Sequence, residues 1–294
     1  MTSIRPTNHP QVSLVIPIRN EAGNIGPLIN EIEETLDTAG FSWELIVVND
    51  GSTDESVHEV SSISASSSRI RLIHLSEGHG KSAALSKGFA SVHGEAVVML
   101  DGDGQDDPAE IPKMLLRLGI APVGSEALPA EADLVNGWKT PRLDPWHKTM
   151  PSRVFNLLVS WLTNLSLHDH NCGLKAMRRE VAQDLSLPTG MHRFIPVLVA
   201  SLGGRIVEQP VHHRPRTQGV SKYGVGRFFR GLFDLARVWL RLQTGKLNTQ
   251  AQPPSSNDSA TTLRIFFYGL LTVIACCSVL GRITTITTVD RIAL

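Results

Sequence analysis

The chain is poor in cysteine, has no excess of either charge, and offers no apolar run of comfortable membrane-spanning length. Its three cysteines, Cys172, Cys276 and Cys277, are an odd count with two adjacent. That argues against a disulfide framework and fits a reducing compartment. Twenty-eight basic residues balance 28 acidic ones, so no global field recommends a nucleic acid as partner. Residues 1–11 are polar and lack the apolar stretch of a signal peptide, so the main domain is expected on the cytoplasmic side. No internal repeat is visible. A chain of 294 residues that is 41% hydrophobic has room for one large α/β domain with an appendage. It is too short for two domains plus a multi-span membrane unit.

The charge that is present is unevenly placed. Asp101, Asp103, Asp106, Asp107 and Glu110 cluster mid-chain, whereas 205–246 holds nine Lys/Arg against only Glu208 and Asp234. An acidic centre points to a cation, and a basic later segment to phosphate or an anionic membrane surface.

Short apolar runs at 12–17, 43–49, 70–75 and 96–100 read as strands. Between them, 22–39, 53–63 and 81–92 read as helices, the first with Ile25, Leu28, Ile29, Ile32 and Leu36 on one face. Strand–helix alternation with short connections predicts a mostly parallel sheet with helices on both faces, and ligands outside the carboxyl ends of its strands. Further on, 133–136 and 205–211 read as strands, and 152–165, 178–185 and 194–202 as helices. The segment 139–151, with Pro141, Pro145 and Pro151, reads as irregular. Over 227–242, Arg227, Arg230, Asp234, Arg237 and Arg241 recur every three or four residues, against Phe228, Phe229, Leu232, Phe233 and Trp239. This fits a helix lying in a membrane interface, or a core-packed helix with a solvated basic face. A polar linker over 244–262 leads to an apolar segment, 265–280, flanked by Arg264 and Arg282 and shorter than the roughly 20 residues a spanning helix prefers.

Four strand ends carry the chemistry. Asp101-Gly102-Asp103-Gly104-Gln105-Asp106-Asp107-Pro108 follows the fourth strand. Carboxylates at i and i+2 beside glycines can aim oxygens at one hard cation, Mg²⁺ or Mn²⁺, which completes its shell with diphosphate oxygens and water. Gln105 can add a neutral oxygen, and Gly102 and Gly104 permit close approach to the backbone. The alternative is an acidic surface turn. After the second strand, Asp50 of Asn49-Asp50-Gly51-Ser52-Thr53-Asp54 is assigned to the nucleotide. Ser52 and Thr53 are assigned to capping the next helix, a task open to Asp54 if that helix starts later. Pro17, Asn20 and Glu21 follow the first strand; Glu21 reads as a nucleotide contact or as an acid complementing a helix dipole. Gly78-His79-Gly80-Lys81-Ser82 opens the third helix and lacks the first glycine of a phosphate-binding P-loop, since Leu75 stands there. Its lysine and helix N-terminus still suit a diphosphate. Ala84 and Gly88 are read as packing positions.

In this order and spacing the motifs IPIRNE, NDGSTD, GHGKSAALSKG and DGDGQDDP resemble the family 2 glycosyltransferases of GT-A fold. The resemblance is to the branch of dolichol-phosphate mannosyltransferases and bacterial polyprenyl-phosphate glycosyltransferases. It extends from about residue 12 to 225, through Ser152-Arg153, Asn156, Asp169–Lys175, Arg178-Arg179, Met191–Phe194 and Gly219–Gly224. It implies a GT-A domain over 11–226; the residue pattern beyond it adds an interfacial helix over 227–243, a linker over 244–262 and a membrane-associated segment over 263–282, where many bacterial members carry two long membrane hairpins. It implies that Asp101 lies near the nucleotide ribose, that Asp103 and Gln105 hold the metal, that Asp50 recognises the base, that Arg214, Ser221 and Lys222 close on the donor, and that Arg142 and Arg153, with Lys139 and Lys148 as further matches, engage the acceptor phosphate. The strand-end reading adds Asp101 as a third metal ligand and Pro17, Asn20, Glu21, Lys81, Gly102 and Asp103 as donor contacts. Family members invert the anomeric centre without a covalent enzyme intermediate. The expected reaction moves a hexose from GDP-mannose or UDP-glucose to a polyprenyl phosphate at the cytoplasmic face of a membrane. The alternative is a same-fold transferase acting on a non-lipid hydroxyl.

A phosphate monoester is largely dianionic at pH 7, so the acceptor needs alignment more than a strong base. Asp169 is expected to orient or deprotonate it, together with Asp103 at the metal; the alternative is an acid that only braces Arg178 and Arg179. His168, His170 and Cys172 alternate, but their spacing fits no common zinc pair. Cys172 reads as a small buried residue, and Trp138 and Trp146 as contacts to lipid or to the core.

Overall fold

The computed structural model describes residues 9–76, 78–126, 128–140, 146–215 and 225–244, without the side chains of 146–151, 225–229 and 243. Seven strands form one sheet: β1 (Val12–Ile18), β2 (Trp43–Asn49), β3 (Ile70–His74), β4 (Ala96–Met99), β5 (Leu134–Lys139), β6 (Lys175–Arg178) and β7 (Ile206–Val211). Their order is β3-β2-β1-β4-β6-β5-β7. Strands β1 to β4 are mutually parallel, β5 and β7 are parallel, and β6 runs antiparallel between β4 and β5.

Period-two alternation divides the core. Val12, Leu14, Ile16 and Ile18 of β1, with Leu45, Val47 and Val98, face α1 (Ile25–Thr38), α2 (Ser56–Ser64) and α4 (Ile111–Arg117). Val15, Ile46, Val48, Val97 and Met99 face the opposite layer of α3 (Lys81–Phe89), α5 (Trp146–Thr163), α6 (Arg179–Asp184), α7 (Ile195–Ser201) and α8 (Val225–Gln243). On α1 the five buried residues are the predicted Ile25, Leu28, Ile29, Ile32 and Leu36; each contributes about 1.5–3 kcal/mol over exposure. Ala84 and Gly88 of α3 lie against the sheet, and a side chain at 88 would collide with Val15.

Register sets up the site. Val15 pairs with Met99, so β1 runs on through Ile16, Pro17 and Ile18 past the end of β4. The chain leaving β4 therefore packs sideways on this overhang. A Cβ on buried Gly102 would lie 2.9 Å from Ile18 Cγ2 and 3.6 Å from Glu21 Cγ.

Several expectations are corrected. Ser52 and Thr53 cap no helix, because α2 begins only at Ser56. Asp54 takes that end instead, its Oδ1 accepting from Ser56 N at 3.1 Å. Residues 139–151 are not irregular throughout: α5 starts at Trp146 and runs through Pro151. Neither α4 nor β6 is anticipated by the sequence pattern. On α8 the exposed face is mixed, with Arg230, Phe233, Arg237 and Leu240 outward and Gly231, Leu235 and Val238 buried. Among the described residues no helix is long and apolar enough to cross a membrane. The segments at 244–262 and 263–282 lie outside the described residues, the first from 245 onward.

Candidate active site

The turn after β4 gathers acids around the half-buried Lys81 and Lys139. Asp101 is ion-paired with Lys81 at the start of α3. Asp103 Oδ1 accepts from the Gln105 amide at 3.2 Å, and Asp106 Oδ2 from the Asp101 amide at 3.2 Å. Asp106 is 3% exposed, with Lys139 Nζ 3.8 Å from its Oδ1. Burial, reinforced by Asp101 and Asp103, raises the Asp106 carboxyl above its ordinary value although Lys139 opposes. At Asp101 burial also works upward, but the charge and hydrogen bond of Lys81 prevail and hold it below the usual carboxylate range. Burial works to lower Lys139, and the surrounding anions, Asp106 foremost, raise it instead. Gly173 closes the cluster from beneath: a Cβ there would lie 3.0 Å from Asp101 Cγ and closer still to Asp106 Oδ2.

These donors fit a hard divalent cation. Asp101, Asp103 and Gln105 supply oxygens from one turn, and the crowding that raises Asp106 is what an added positive charge relieves. Among the described residues no three His, Cys, Asp or Glu side chains form a ready-made cage. Mg²⁺ or Mn²⁺ is commonly held by one or two carboxylates together with phosphate oxygens.

The neighbouring strand ends are laced together. Asn20, at φ 57°, donates its amide to Ser52 Oγ at 3.0 Å and accepts from Thr53 N at 2.8 Å. Ser56 Oγ accepts from the Glu21 amide at 2.8 Å, and Asp54 Oδ2 from Ala22 N at 3.1 Å. Pro17 lies on β1 opposite Val48. Asp50 is 5% exposed, and its carboxylate accepts from the amides of His79, at 2.7 Å, and Gly80, at 3.0 Å. Those amides, which a phosphate at this helix start would use, are thus bound to Asp50. Ser82 and His192 form a further tie, Oγ to Nδ1 at 2.9 Å, bringing 191–194 against α3.

Asp169 is 2% exposed and held by its backbone. Its amide donates to Glu208 Oε1 at 3.1 Å, and its carbonyl accepts from Asn136 Nδ2 at 2.8 Å. His168 donates its amide to Glu208 and gives its carbonyl to Asn156 Nδ2 at 2.9 Å, while its ring stacks on Trp138 at 4.0 Å. Among the described residues Oδ1 of Asn136 and of Asn156 meets no donor, a cost of about 1–3 kcal/mol each. His170 turns away to Ser160, 2.9 Å from its Nε2, and burial, then Lys175, pushes its pKa down to about 4. Cys172 is 2% exposed, its thiol pushed up to about 12 by burial. His168, His170 and Cys172 thus have separate surroundings, and no zinc cluster forms among the described residues. Lys175, 1% exposed, donates to the Cys172 carbonyl, and burial lowers its pKa.

Arg214 is engaged with protein acids: its guanidinium donates to both Glu31 oxygens, at 2.8 and 2.6 Å, and to Asp107 Oδ1 at 2.7 Å. It also ties in the acidic turn, its amide donating to the Gln105 carbonyl at 2.9 Å and its carbonyl accepting from Gln105 Nε2 at 3.3 Å. Arg153 is exposed on α5. Arg142, Ser221 and Lys222 lie outside the described residues, as do the side chains of Trp146 and Lys148. The structure brings Asp101, Asp103, Gln105, Lys81 and Lys139 together and places Asp169 within electrostatic reach of Lys139. Sequence reasoning missed Lys175, Asn136 and Glu208. The one available signal was composition, since Glu208 is one of two acids in a basic stretch.

An α/β sheet of this order, with a paired-carboxylate turn after β4, defines a glycosyltransferase of GT-A fold. Solved structures share it. Glucosyl-3-phosphoglycerate synthase from Mycobacterium tuberculosis, in complex with phosphoglyceric acid, superposes with a TM-score of 0.60 at 20% identity over 79% of each chain. The same enzyme in complex with Mn²⁺ and UDP-glucose gives 0.59 at 21% identity, over 78% of this chain and 79% of that one. Residues 13–186 match glycosyl transferase family 2, and the chain belongs to that family. A curated relative, dodecaprenyl-phosphate galacturonate synthase of Rhizobium johnstonii, is 37% identical over 243 residues, covering 80% of this chain and 69% of that protein.

Proposed function

We propose that this glycosyltransferase moves a sugar from a nucleoside diphosphate donor to a polyprenyl phosphate, with inversion at the anomeric carbon. The observation that carries the reading is the single cluster in which Asp101, Asp103 and Gln105 meet Lys81 and Lys139 at the sheet's carboxyl edge. Asp101, Asp103 and Gln105 would hold Mg²⁺ or Mn²⁺, which neutralises charge on the departing diphosphate. Lys81 and Lys139, which here face Asp101 and Asp106, would supply ammonium groups to the phosphates. An acceptor phosphate oxygen attacks the anomeric carbon, its new C–O bond forming as the bond to the diphosphate breaks. The dianion is nucleophilic without a strong base, so the work of Asp169 is to orient it.

The sugar is a hexose or its uronic acid. GDP-mannose and UDP-glucose follow from the family branch, and a UDP-hexuronate from the relative named for a galacturonate product. Attachment to the cytoplasmic face of a membrane is supported by α8, whose exposed Phe233 and Leu240 alternate with Arg230 and Arg237. The apolar segment at 263–282 is a second anchor in this reading.

The test offers a panel of nucleotide sugars, uronates included, with short-chain polyprenyl phosphate, products being read by mass spectrometry. Asp103→Asn is expected to abolish metal-dependent transfer while leaving the unfolding midpoint in place. Full turnover in excess EDTA, or transfer only to soluble hydroxyl acceptors, overturns the reading.

A further inference from the structure

Four main-chain groups flank the Asp169 side chain, and each is taken by a side chain from another part of the fold. The amides of His168 and Asp169 both donate to Glu208 Oε1, at 2.9 and 3.1 Å. The carbonyl of His168 accepts from Asn156 on α5, and that of Asp169 from Asn136 on β5, at 2.9 and 2.8 Å. Asn136 and Glu208 are direct partners across β5 and β7, so adjacent strands grip one residue, Asp169, at its carbonyl and at its amide. Glu208 is itself fixed: its carbonyl accepts from Arg117 Nη1 at 2.7 Å, and its Oε2 lies 2.8 Å from His168 Nδ1. The His168 ring is then held flat on Trp138, with 15° between the planes.

A loop that only had to close would pair with its own backbone. Here the buried Asn136 and Asn156 spend their donors on these two carbonyls and leave their own oxygens without a partner among the described residues. The segment between α5 and β6 is thereby set in one conformation, as placement of a reacting group requires.

We infer that Glu208 is a positioning residue for the transfer reaction, acting through the backbone of Asp169. This rests on the role given to Asp169 above. Because one oxygen accepts both amides, Glu208→Gln keeps both contacts, whereas Glu208→Ala removes them and Glu208→Asp draws the carboxylate back by one methylene.

The experiment measures kcat and KM of the full chain with its best donor from the panel, for Glu208→Ala, Glu208→Gln, Asp169→Asn and the Glu208→Ala/Asp169→Asn double variant. Hydrogen exchange at the amides of His168 and Asp169 is followed in parallel. Glu208→Ala is expected to lower kcat by roughly 10- to 100-fold with donor KM changed less than about twofold. It should also speed exchange at both amides, and Glu208→Gln should restore kcat to within about threefold of wild type. In the Asp169→Asn background, Glu208→Ala should change kcat by less than about twofold. Equal losses in both backgrounds, or a folded Glu208→Ala with wild-type kcat, overturn the inference and leave the reaction standing. If Glu208→Ala does not fold, Glu208→Asp takes its place with the same expectations. A wild-type chain that turns over no donor with any acceptor overturns the proposed function, and this inference with it.

Discussion

Adding one methyl group at Gly173 probes how tightly the acidic cluster is built. The new Cβ would sit 3.0 Å from both Cγ and Oδ2 of Asp101 and would overlap Asp106 Oδ2 outright, whereas ordinary contact begins near 3.4 Å. Asp101 must therefore retreat by about 0.4 Å, and Asp106 by more. Neither has slack. Asp106 is 3% exposed and bound to the Asp101 amide at 3.2 Å, and Asp101 is paired with Lys81. Overpacking of this kind costs about 1–3 kcal/mol. The effect on turnover should be larger, since displacement of a reactive group by about 1 Å costs on the order of 100-fold. Gly173→Ala is thus expected to unfold slightly earlier in urea, bind Mn²⁺ at least about tenfold more weakly by calorimetry, and lose about 10- to 100-fold in kcat. Gly104→Ala is the control. Its φ of 71° strains any side chain, but no atom lies within 4 Å of the new Cβ. It should lose about 1 kcal/mol of stability and leave the carboxylates in place. Equal Mn²⁺ affinity and kcat in the two variants would refute the claim that Gly173 sets the cluster.

Two further outcomes are expected. His170 is held neutral by burial, its folded pKa of about 4 lying below the ordinary 6.5, so the unfolded chain takes up the proton first as pH falls. Stability attributable to this residue is intact above about pH 6.5 and declines toward pH 4, by about 2 kcal/mol at pH 5. Chemical denaturation across that window should show a decline that flattens in His170→Gln; parallel curves would remove His170 as its source. On α8, Phe233 and Leu240 are 66% and 58% exposed, so the Phe233→Ser/Leu240→Ser pair should shift stability by less than about 0.5 kcal/mol. It should nonetheless weaken flotation with anionic phospholipid vesicles; unchanged flotation would count against α8 as a membrane contact.

The parallel half of the sheet was legible because each of its strands is apolar, short and followed by turn residues, and because α1 carries its core stripe without interruption. The acidic turn was legible for the same reason, being the polar sequence that directly follows β4. Strand β6 was not, since its four residues include a lysine and an arginine, and only the fold reveals that Lys175 is buried. The strand-end ties of Asn20, Asp50 and Asp54 escaped notice because they join residues about 30 positions apart. Local propensity assigned Ser52 to a cap, and a long-range partner claimed it.

The basic stretch at 205–246 held a clue of a different kind. Nine cations stand there against two acids, and a surface selected only for positive charge has no use for either acid. Both prove to be tethers. Glu208 grips the amides beside Asp169, and Asp234 pairs with Arg193 at 3.1 Å, with both side chains nearly buried. Through that second pair α8 is tied to the 191–194 segment, whose His192 reaches Ser82 next to Lys81. The helix that carries the exposed Arg and Phe side chains is thus joined to the carboxyl edge of the sheet by a chain of ordered contacts. An acid that survives in a field of bases is best read as a question about its partner. Here the partner lies 40 residues away at His168 for Glu208, and 41 away at Arg193 for Asp234.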